Sequence, residues 1–303
     1  MRIAYIGLGN LGEHIAMNLL RAGHATTVTD LNRAAAASLL AAGATWADDA
    51  AAAAADVDVV FTCLPSTKAV EAVIEGERGI LTTLKLGGTW IDNSTNDRDL
   101  IMAIAERAAA KGIRTIEAPV TGGVHLAKAG EITVILGGDD AVVAEHMPLF
   151  EIIGNRIFHV GAVGQASKIK AITNMLAFIH LVADGEALML AKKGGLDLKT
   201  AWEVIQASSG NSFVHETEGQ VVLSGSYDID FTFDLALKDL GFTDDMGREY
   251  GVPLELASLV RQTYIRGKAQ YGGDAQSPMI VKLLEDAVGT DLRAPGFPDK
   301  IEA

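Results

Sequence analysis

Hydrophobic positions in the first half of the chain fall into short runs separated by stretches of helical spacing. Arg2–Ile6, Ala25–Thr29, Val57–Thr62, Thr89–Asp92, Arg114–Glu117, Thr133–Leu136 and Arg156–Val160 are short and β-rich, which predicts strands. Val57–Thr62 is largely β-branched and aromatic, as expected of a strand buried on both faces. Between the strands, Asn10–Arg21 places Leu11, Ile15, Leu19 and Leu20 on one helical stripe. Ala34–Ala42 is a strong helix former stopped by Gly43. The Ala-rich tract Ala34–Ala55 is interrupted by Gly43, Trp46, Asp48 and Asp49, which predicts two small-faced helices around a short strand. Strands alternating with helices across short turns imply a parallel sheet with right-handed crossovers.

From Gly164 the pattern becomes helical throughout. Gln165–Lys193 is expected to be one long helix, ended by Gly194-Gly195. Leu198–Ser208, Phe213–Leu223, Phe231–Tyr250, Leu254–Gln270 and Pro278–Val288 are expected helices, with Arg293–Ala303 extended. The predicted division is an α/β domain over residues 1–163 and an all-α domain over 164–303, opened by the long interdomain helix.

Composition narrows this picture modestly. The chain has 303 residues, 49% apolar and 21% charged, which is globular. A net charge of −14 argues against a nucleic-acid or anionic-membrane surface. Cys63 is the only cysteine, which suits a cytoplasmic setting. The N-terminus lacks the apolar core of a signal peptide, and the most apolar helical run, Ala171–Ala183, is short for a bilayer span. The expectation is a soluble protein with no membrane partner. No spaced His/Cys/Asp/Glu set suggests a metal.

Candidate chemistry begins at Gly7-Leu8-Gly9-Asn10-Leu11-Gly12. This is G-x-G-x-x-G between a strand and a helix, the Rossmann arrangement in which backbone amides at a helix N-terminus hold a pyrophosphate. Asp30 ends the second strand, where a carboxylate binds ribose hydroxyls and favours NAD. Arg33, beside Asn32, is placed to pair with a 2′-phosphate, so NADP stays open. Two further strand-end turns, Cys63-Leu64-Pro65-Ser66 and Asn93-Ser94-Thr95-Asn96, belong on the same ligand-binding edge. Thr121-Gly122-Gly123 offers unshielded amides beside a hydroxyl, which suits a carboxylate. On the long helix, Lys170 and Asn174 are four residues apart and share a face, whereas Lys168 points nearly the other way and has Ile172 at the matching spacing. His125 is adjacent to the Gly pair, but a lone histidine is more often structural.

Together these motifs resemble the β-hydroxyacid dehydrogenases, the family of 3-hydroxyisobutyrate dehydrogenase and tartronate semialdehyde reductase. The likeness lies in GLGNLGEHIAMNLL at Gly7–Leu20, CLPS at Cys63–Ser66, DNST at Asp92–Thr95, APVTGG at Ala118–Gly123, the Gly161–Asn174 stretch, KDL at Lys238–Leu240 and ASSGNSF at Ala207–Phe213. The resemblance implies NAD(P)-dependent interconversion of a small β-hydroxy acid and its semialdehyde or keto form. It implies Lys170 as the proton-exchanging group, Asn174 as its substrate-binding partner, and substrate contacts from Thr121, Gly122, Gly123, Asn211 and Phe213. Leu64, Pro65, Thr95 and Lys238 would contact the cofactor, the substrate would lie in an interdomain cleft, and the protein would form a homodimer or homotetramer. Leu126 and Glu131 depart from the family pattern near the substrate segment and leave the substrate open. Imine reductases, 6-phosphogluconate dehydrogenase and non-catalytic dinucleotide-binding scaffolds are the alternatives. The first and last of these tend to lack the lysine, and no basic phosphate-binding cluster supports the second.

Overall fold

The computed structural model describes residues 1–302, which divide into two compact units, Met1–Lys170 and Ala171–Glu302. In the first unit, β1 (Arg2–Ile6), β2 (Ala25–Thr29), β3 (Thr45–Trp46), β4 (Val59–Thr62), β5 (Thr89–Asp92) and β6 (Arg114–Glu117) form a six-stranded parallel sheet in the order β3-β2-β1-β4-β5-β6. The helices between them are α1 (Gly12–Arg21), α2 (Ala37–Ala41), α3 (Ala50–Ala54), α4 (Thr67–Glu75) and α5 (Arg98–Ala110). Alternate residues of the strands enter two separate cores. Ile3, Tyr5, Val28, Phe61 and Ile91 pack with Ile15, Leu19 and Leu39 on one face. Ala4, Ile6, Val60 and Trp90 pack with Val70, Ile74, Ile101 and Ile104 on the other. A sheet covered on both faces needs apolar residues at both alternations, which is why its strands read as continuous runs. Each fully buried large side chain contributes about 1.5–3 kcal/mol.

The last strands depart from the single-sheet expectation. β7 (Val120–Thr121), β8 (Thr133–Leu136) and β9 (Arg156–His159) form a separate three-stranded sheet, with β7 antiparallel to β8 and β8 parallel to β9. α6 (Val124–Ala129) and α7 (Asp140–Ile153) lie between them in the chain. β7 has only two residues, too few to give a periodic signal.

α8 (Gln165–Lys193) begins in the first unit and continues as the first element of the second. It is followed by α9 (Leu198–Gln206), α10 (Phe213–Glu216), α11 (Glu218–Ser224), α12 (Phe233–Tyr250), α13 (Glu255–Tyr271) and α14 (Met279–Val288). The single helix expected over Phe213–Leu223 is broken at Thr217, whose amide and hydroxyl both donate to the Phe213 carbonyl and close α10. The core holds Phe178, Leu181, Leu188 and Met189 of α8 with Phe233, Leu240, Val260, Tyr264 and Ile280. Gly185 lets α8 approach α14 closely, since an added Cβ would lie 2.8 Å from Val281 Cγ2.

By length and composition α8 is sufficient to cross a bilayer, with 29 residues and a window of mean hydropathy 1.3, although the apolar run inside it is shorter. Only 28% of that window is buried, along one face. One face supplies the apolar side chains just named, and Asp184 of α8 is buried against His215. Ile172, Leu176 and Leu190 remain exposed.

His215 is 1% exposed. Its Nδ1 donates to Asp184 Oδ1 at 2.6 Å and its Nε2 to the Trp202 carbonyl at 2.9 Å. Both partners only accept, so satisfying both requires an imidazolium. Burial opposes that charge, but the Asp184 carboxylate and the Trp202 carbonyl outweigh it and raise the pKa above 6.5. The stabilisation is complete below about pH 6.5 and is lost as pH rises through the higher folded value. We predict that the Tm advantage of the wild type over His215→Gln is largest below about pH 6.5 and shrinks as pH rises above it. A difference independent of pH would contradict the charged state.

Candidate active site

The glycine fingerprint sits where β1 passes into α1, at the sheet's topological switch between β1 and β4. Gly7 has φ +94°, and a Cβ there would lie 2.3 Å from the Cys63 carbonyl oxygen. At Gly12 it would lie 2.0 Å from the Gly7 oxygen. At Gly9 it would meet nothing within 4 Å. The first and third glycines are therefore required by the protein's own packing, whereas the second borders open space. That open, side-chain-free cradle fits a dinucleotide pyrophosphate. Leu8, Asn10 and Leu11 lie in the same turn.

Asp30 Oδ2 accepts from Leu8 N–H and Oδ1 from Asn32 N–H, each at 2.7 Å. This carboxylate, just past the end of β2, thus braces the glycine turn. Asn32 caps the short helical turn Arg33–Ala36 by accepting from Ala34 N–H at 3.1 Å. The Arg33 guanidinium stacks over Trp46, 5.3 Å from the ring centroid. Leu31 is fully exposed beside Asp30, an apolar surface suited to an adenine.

The other two strand-end turns are tied together by buried hydrogen bonds. Leu64 N–H donates to Ser94 Oγ at 2.9 Å, and Ser94 Oγ and Thr62 Oγ1 both donate to Asp92 Oδ1. Burial raises the Asp92 pKa against the pull of these donors. Asn93 donates to the Ala118 carbonyl and accepts from Tyr5. Leu64-Pro65 and half-buried Thr95 are thereby held on one sheet edge with the start of the Ala118–Gly123 segment. Thr121 ends β7, and Gly122 and Gly123 both adopt positive φ before α6.

Leu126 packs into the first core, and a Cβ on Gly122 would lie 2.7 Å from its Cδ1, so the added bulk fills space beneath the Gly pair. Glu131 is exposed. His125 lies partly buried beside Gly123, and burial lowers its pKa, favouring the neutral ring.

Lys170 is 6% exposed at the end of the first unit, whereas Lys168 is only half-buried. In the second unit, Asn174 Nδ2 donates to Asp239 Oδ2 at 2.6 Å, and Lys238 Nζ lies 3.2 Å from Asp239 Oδ1. Asp239 is buried and so brings Asn174 and Lys238 onto one carboxylate. Thr243, one turn on, donates to the Ala171 carbonyl and tethers α12 to α8. Asn211 donates to Glu216 Oε1 at 2.6 Å, while its own Oδ1 is buried without a hydrogen-bond donor. Phe213 is 55% exposed at the start of α10. Sequence reasoning did not single out Asp239 or Glu117. Both are buried carboxylates whose partners lie 65 and about 50 residues away; in the sequence Asp239 is the acid of KDL and Glu117 only the last residue of an expected strand, just before APVTGG.

Residues 2–161 match the family model described as the NAD binding domain of 6-phosphogluconate dehydrogenase. Residues 164–284 match the one described as NAD-binding of NADP-dependent 3-hydroxyisobutyrate dehydrogenase. The chain is 34% identical to 2-(hydroxymethyl)glutarate dehydrogenase of Eubacterium barkeri, covering 96% of this chain and 97% of that one. It is 35% identical to 3-hydroxyisobutyrate dehydrogenase of Pseudomonas aeruginosa, covering 86% and 90%. The crystal structure of 3-hydroxyisobutyrate dehydrogenase from Salmonella typhimurium matches with a TM-score of 0.86 at 29% identity, covering 93% of this chain and 99% of that one. An imine reductase from a Pseudomonas species, at 16% identity and TM-score 0.62, shares the fold alone.

Proposed function

The chain belongs to the β-hydroxyacid dehydrogenase family, NAD(P)-dependent oxidoreductases acting on CH–OH groups, and from that premise we propose that Lys170 is its general acid/base. The observation that carries this is burial. Lysine is among the residues least often buried, yet Lys170 is 6% exposed on the helix face it shares with Asn174. A bound dinucleotide supplies the hydride acceptor or donor. In oxidation, the neutral Lys170 amine takes the substrate's hydroxyl proton. In reduction, the ammonium returns it to the carbonyl oxygen. Asn174, held by Asp239, orients the reacting oxygen. Thr121 and the amides of Gly122 and Gly123 hold the carboxylate, and Asn211 and Phe213 are the substrate-contact residues we assign to the second unit. Lys238 is assigned to the cofactor as well. Gly7, Gly9, Gly12, Asp30, Leu64, Pro65 and Thr95 hold the cofactor.

The proposed functional division remains residues 1–163 for the dinucleotide and 164–303 for the helical domain, supported by the two matched spans. The substrate class is a small carboxylate-bearing hydroxy acid. We place the enzyme in the cytoplasm as a homodimer or homotetramer, supported by the exposed Ile172, Leu176 and Leu190 on α8.

The test is absorbance at 340 nm with NAD or NADP and a panel of 3-hydroxyisobutyrate, L-threonate and 2-(hydroxymethyl)glutarate, the substrates named by the relatives. Turnover of at least one is expected. Tight cofactor binding with silence across a broad panel of hydroxy acids would instead indicate a scaffold. Asp30→Ala should lower the NAD-to-NADP ratio of kcat/KM, since a carboxylate there repels a 2′-phosphate. A wild type that already prefers NADP would transfer the decisive role to Arg33.

A further inference from the structure

α4, α5 and α7 open on their own capping side chains, Ser66, Asp97 and Asp139. α8 opens after Gly164, which has no side chain with which to cap it. Its first turn is satisfied from far along the chain. The Glu117 carboxylate, at the end of β6, accepts from the Gly164 amide, from the Ser167 amide at 3.2 Å and from the Ser167 hydroxyl.

Glu117 is 2% exposed and fixed at its other end. Its backbone exchanges two hydrogen bonds with Gly137, at 2.8 and 2.9 Å, joining the six-stranded sheet to the smaller one. The pair is close enough that a Cβ on Gly137 would lie 2.5 Å from Glu117 Oε2. Burial raises the carboxyl pKa while its hydrogen-bond donors, the Ala166 amide among them, pull it down. A buried carboxylate is a costly way to cap a helix, because its desolvation must be offset by those donors. A local serine would cap the turn without that cost. What Glu117 adds is a fixed relation between two parts of the first unit. Four residues after it comes Thr121, and Ser167 lies one helical turn before Lys170 on the same face.

We infer that Glu117 is a positioning residue. Its carboxylate sets the rotation of α8's first turn against the Thr121–Gly123 segment, so that Lys170 meets a substrate held there in the reacting geometry. This rests on the role proposed for Lys170.

The test compares Glu117→Gln, Lys170→Ala and the double variant in the full-length enzyme. Each is assayed with NAD and the panel acid that the wild type turns over, with residual rates read at high enzyme concentration. Glu117→Gln should lower kcat by about 10- to 100-fold, the scale of an ångström-sized misplacement. NAD affinity should stay within about twofold, and the double variant should be no slower than Lys170→Ala, because residues acting through one group are not additive. Ser167→Ala, which leaves the backbone bond, should lose a few-fold in kcat. Wild-type kcat in Glu117→Gln, or losses that multiply in the double variant, would overturn the inference. If Glu117→Gln does not fold, Ser167→Ala and Ser167→Ala/Lys170→Ala decide it by the same two criteria. Full turnover in Lys170→Ala is a separate failure, that of the lysine's own role.

Discussion

Lys170→Ala is expected to lower kcat by at least ~10², with NAD affinity nearly unchanged. The residue lies beyond the glycine turn, Asp30 and the two strand-end turns that would hold the cofactor, so its loss removes proton exchange and leaves those contacts standing. Lys170→Met separates this from packing. It keeps an apolar stem in a site that is 6% exposed, and it should be equally inactive. Lys168→Ala is the control, since it lies on a half-buried, nearly opposite face and should keep most of its turnover. Near-normal turnover in either Lys170 variant would remove the assignment.

The second large effect is a contrast between two glycines three residues apart. Gly12→Ala should lower Tm, because its Cβ would be placed 2.0 Å from the Gly7 backbone oxygen and α1 must move away from β1. Gly9→Val should leave Tm unchanged, because the protein offers no atom within 4 Å of the new Cβ. Its side chain would instead occupy the space expected for the pyrophosphate, and the dissociation constant for NAD should rise on the order of 100-fold, equivalent to about 2.7 kcal/mol. Melting and cofactor titration on both variants read this directly. A Gly9→Val protein that binds NAD normally would show that the pyrophosphate does not lie over this turn.

Much of the fold was legible because its signals are local. β1, β2, β5, β6 and β8 have the ranges their β-rich runs predicted, and α8 spans Gln165–Lys193 as its spacing and the terminating Gly pair implied. Boundaries slipped where local chemistry competed. Arg33–Ala36 is a tighter 3-10 turn capped by Asn32 before α2 begins, and Val57 and Asp58 precede β4 rather than joining it. The smaller sheet escaped notice because its membership depends on pairing. β8 and β9 read as ordinary strands; pairing with the antiparallel β7 sets them apart as a sheet of their own, linked to the larger one through the Glu117–Gly137 bridge.

The candidate site divides in the same way. Residues whose type and spacing carry the meaning were visible in the sequence, among them Gly7, Gly9, Gly12, Asp30, Thr121, Lys170 and Asn174. Those whose meaning is a distant partner were not. Asp239 reads as one more acid on a helix until Asn174 and Lys238 are found on its two oxygens. His215 reads as a lone histidine until Asp184 and Trp202 close around it.

By itself the sequence determined the order of strands and helices, the glycine turn for a dinucleotide and the helical pairing of Lys170 with Asn174. These follow from backbone sterics and side-chain periodicity, which act over a few residues. Only the tertiary structure decided which acids are buried, that Glu117 rather than a local side chain opens α8, and that Lys170 rather than Lys168 is withdrawn from water. The physical reason is that burial and hydrogen-bond satisfaction are set by groups far apart in the chain, and a charge shows whether it is solvated or working only once its surroundings have closed around it.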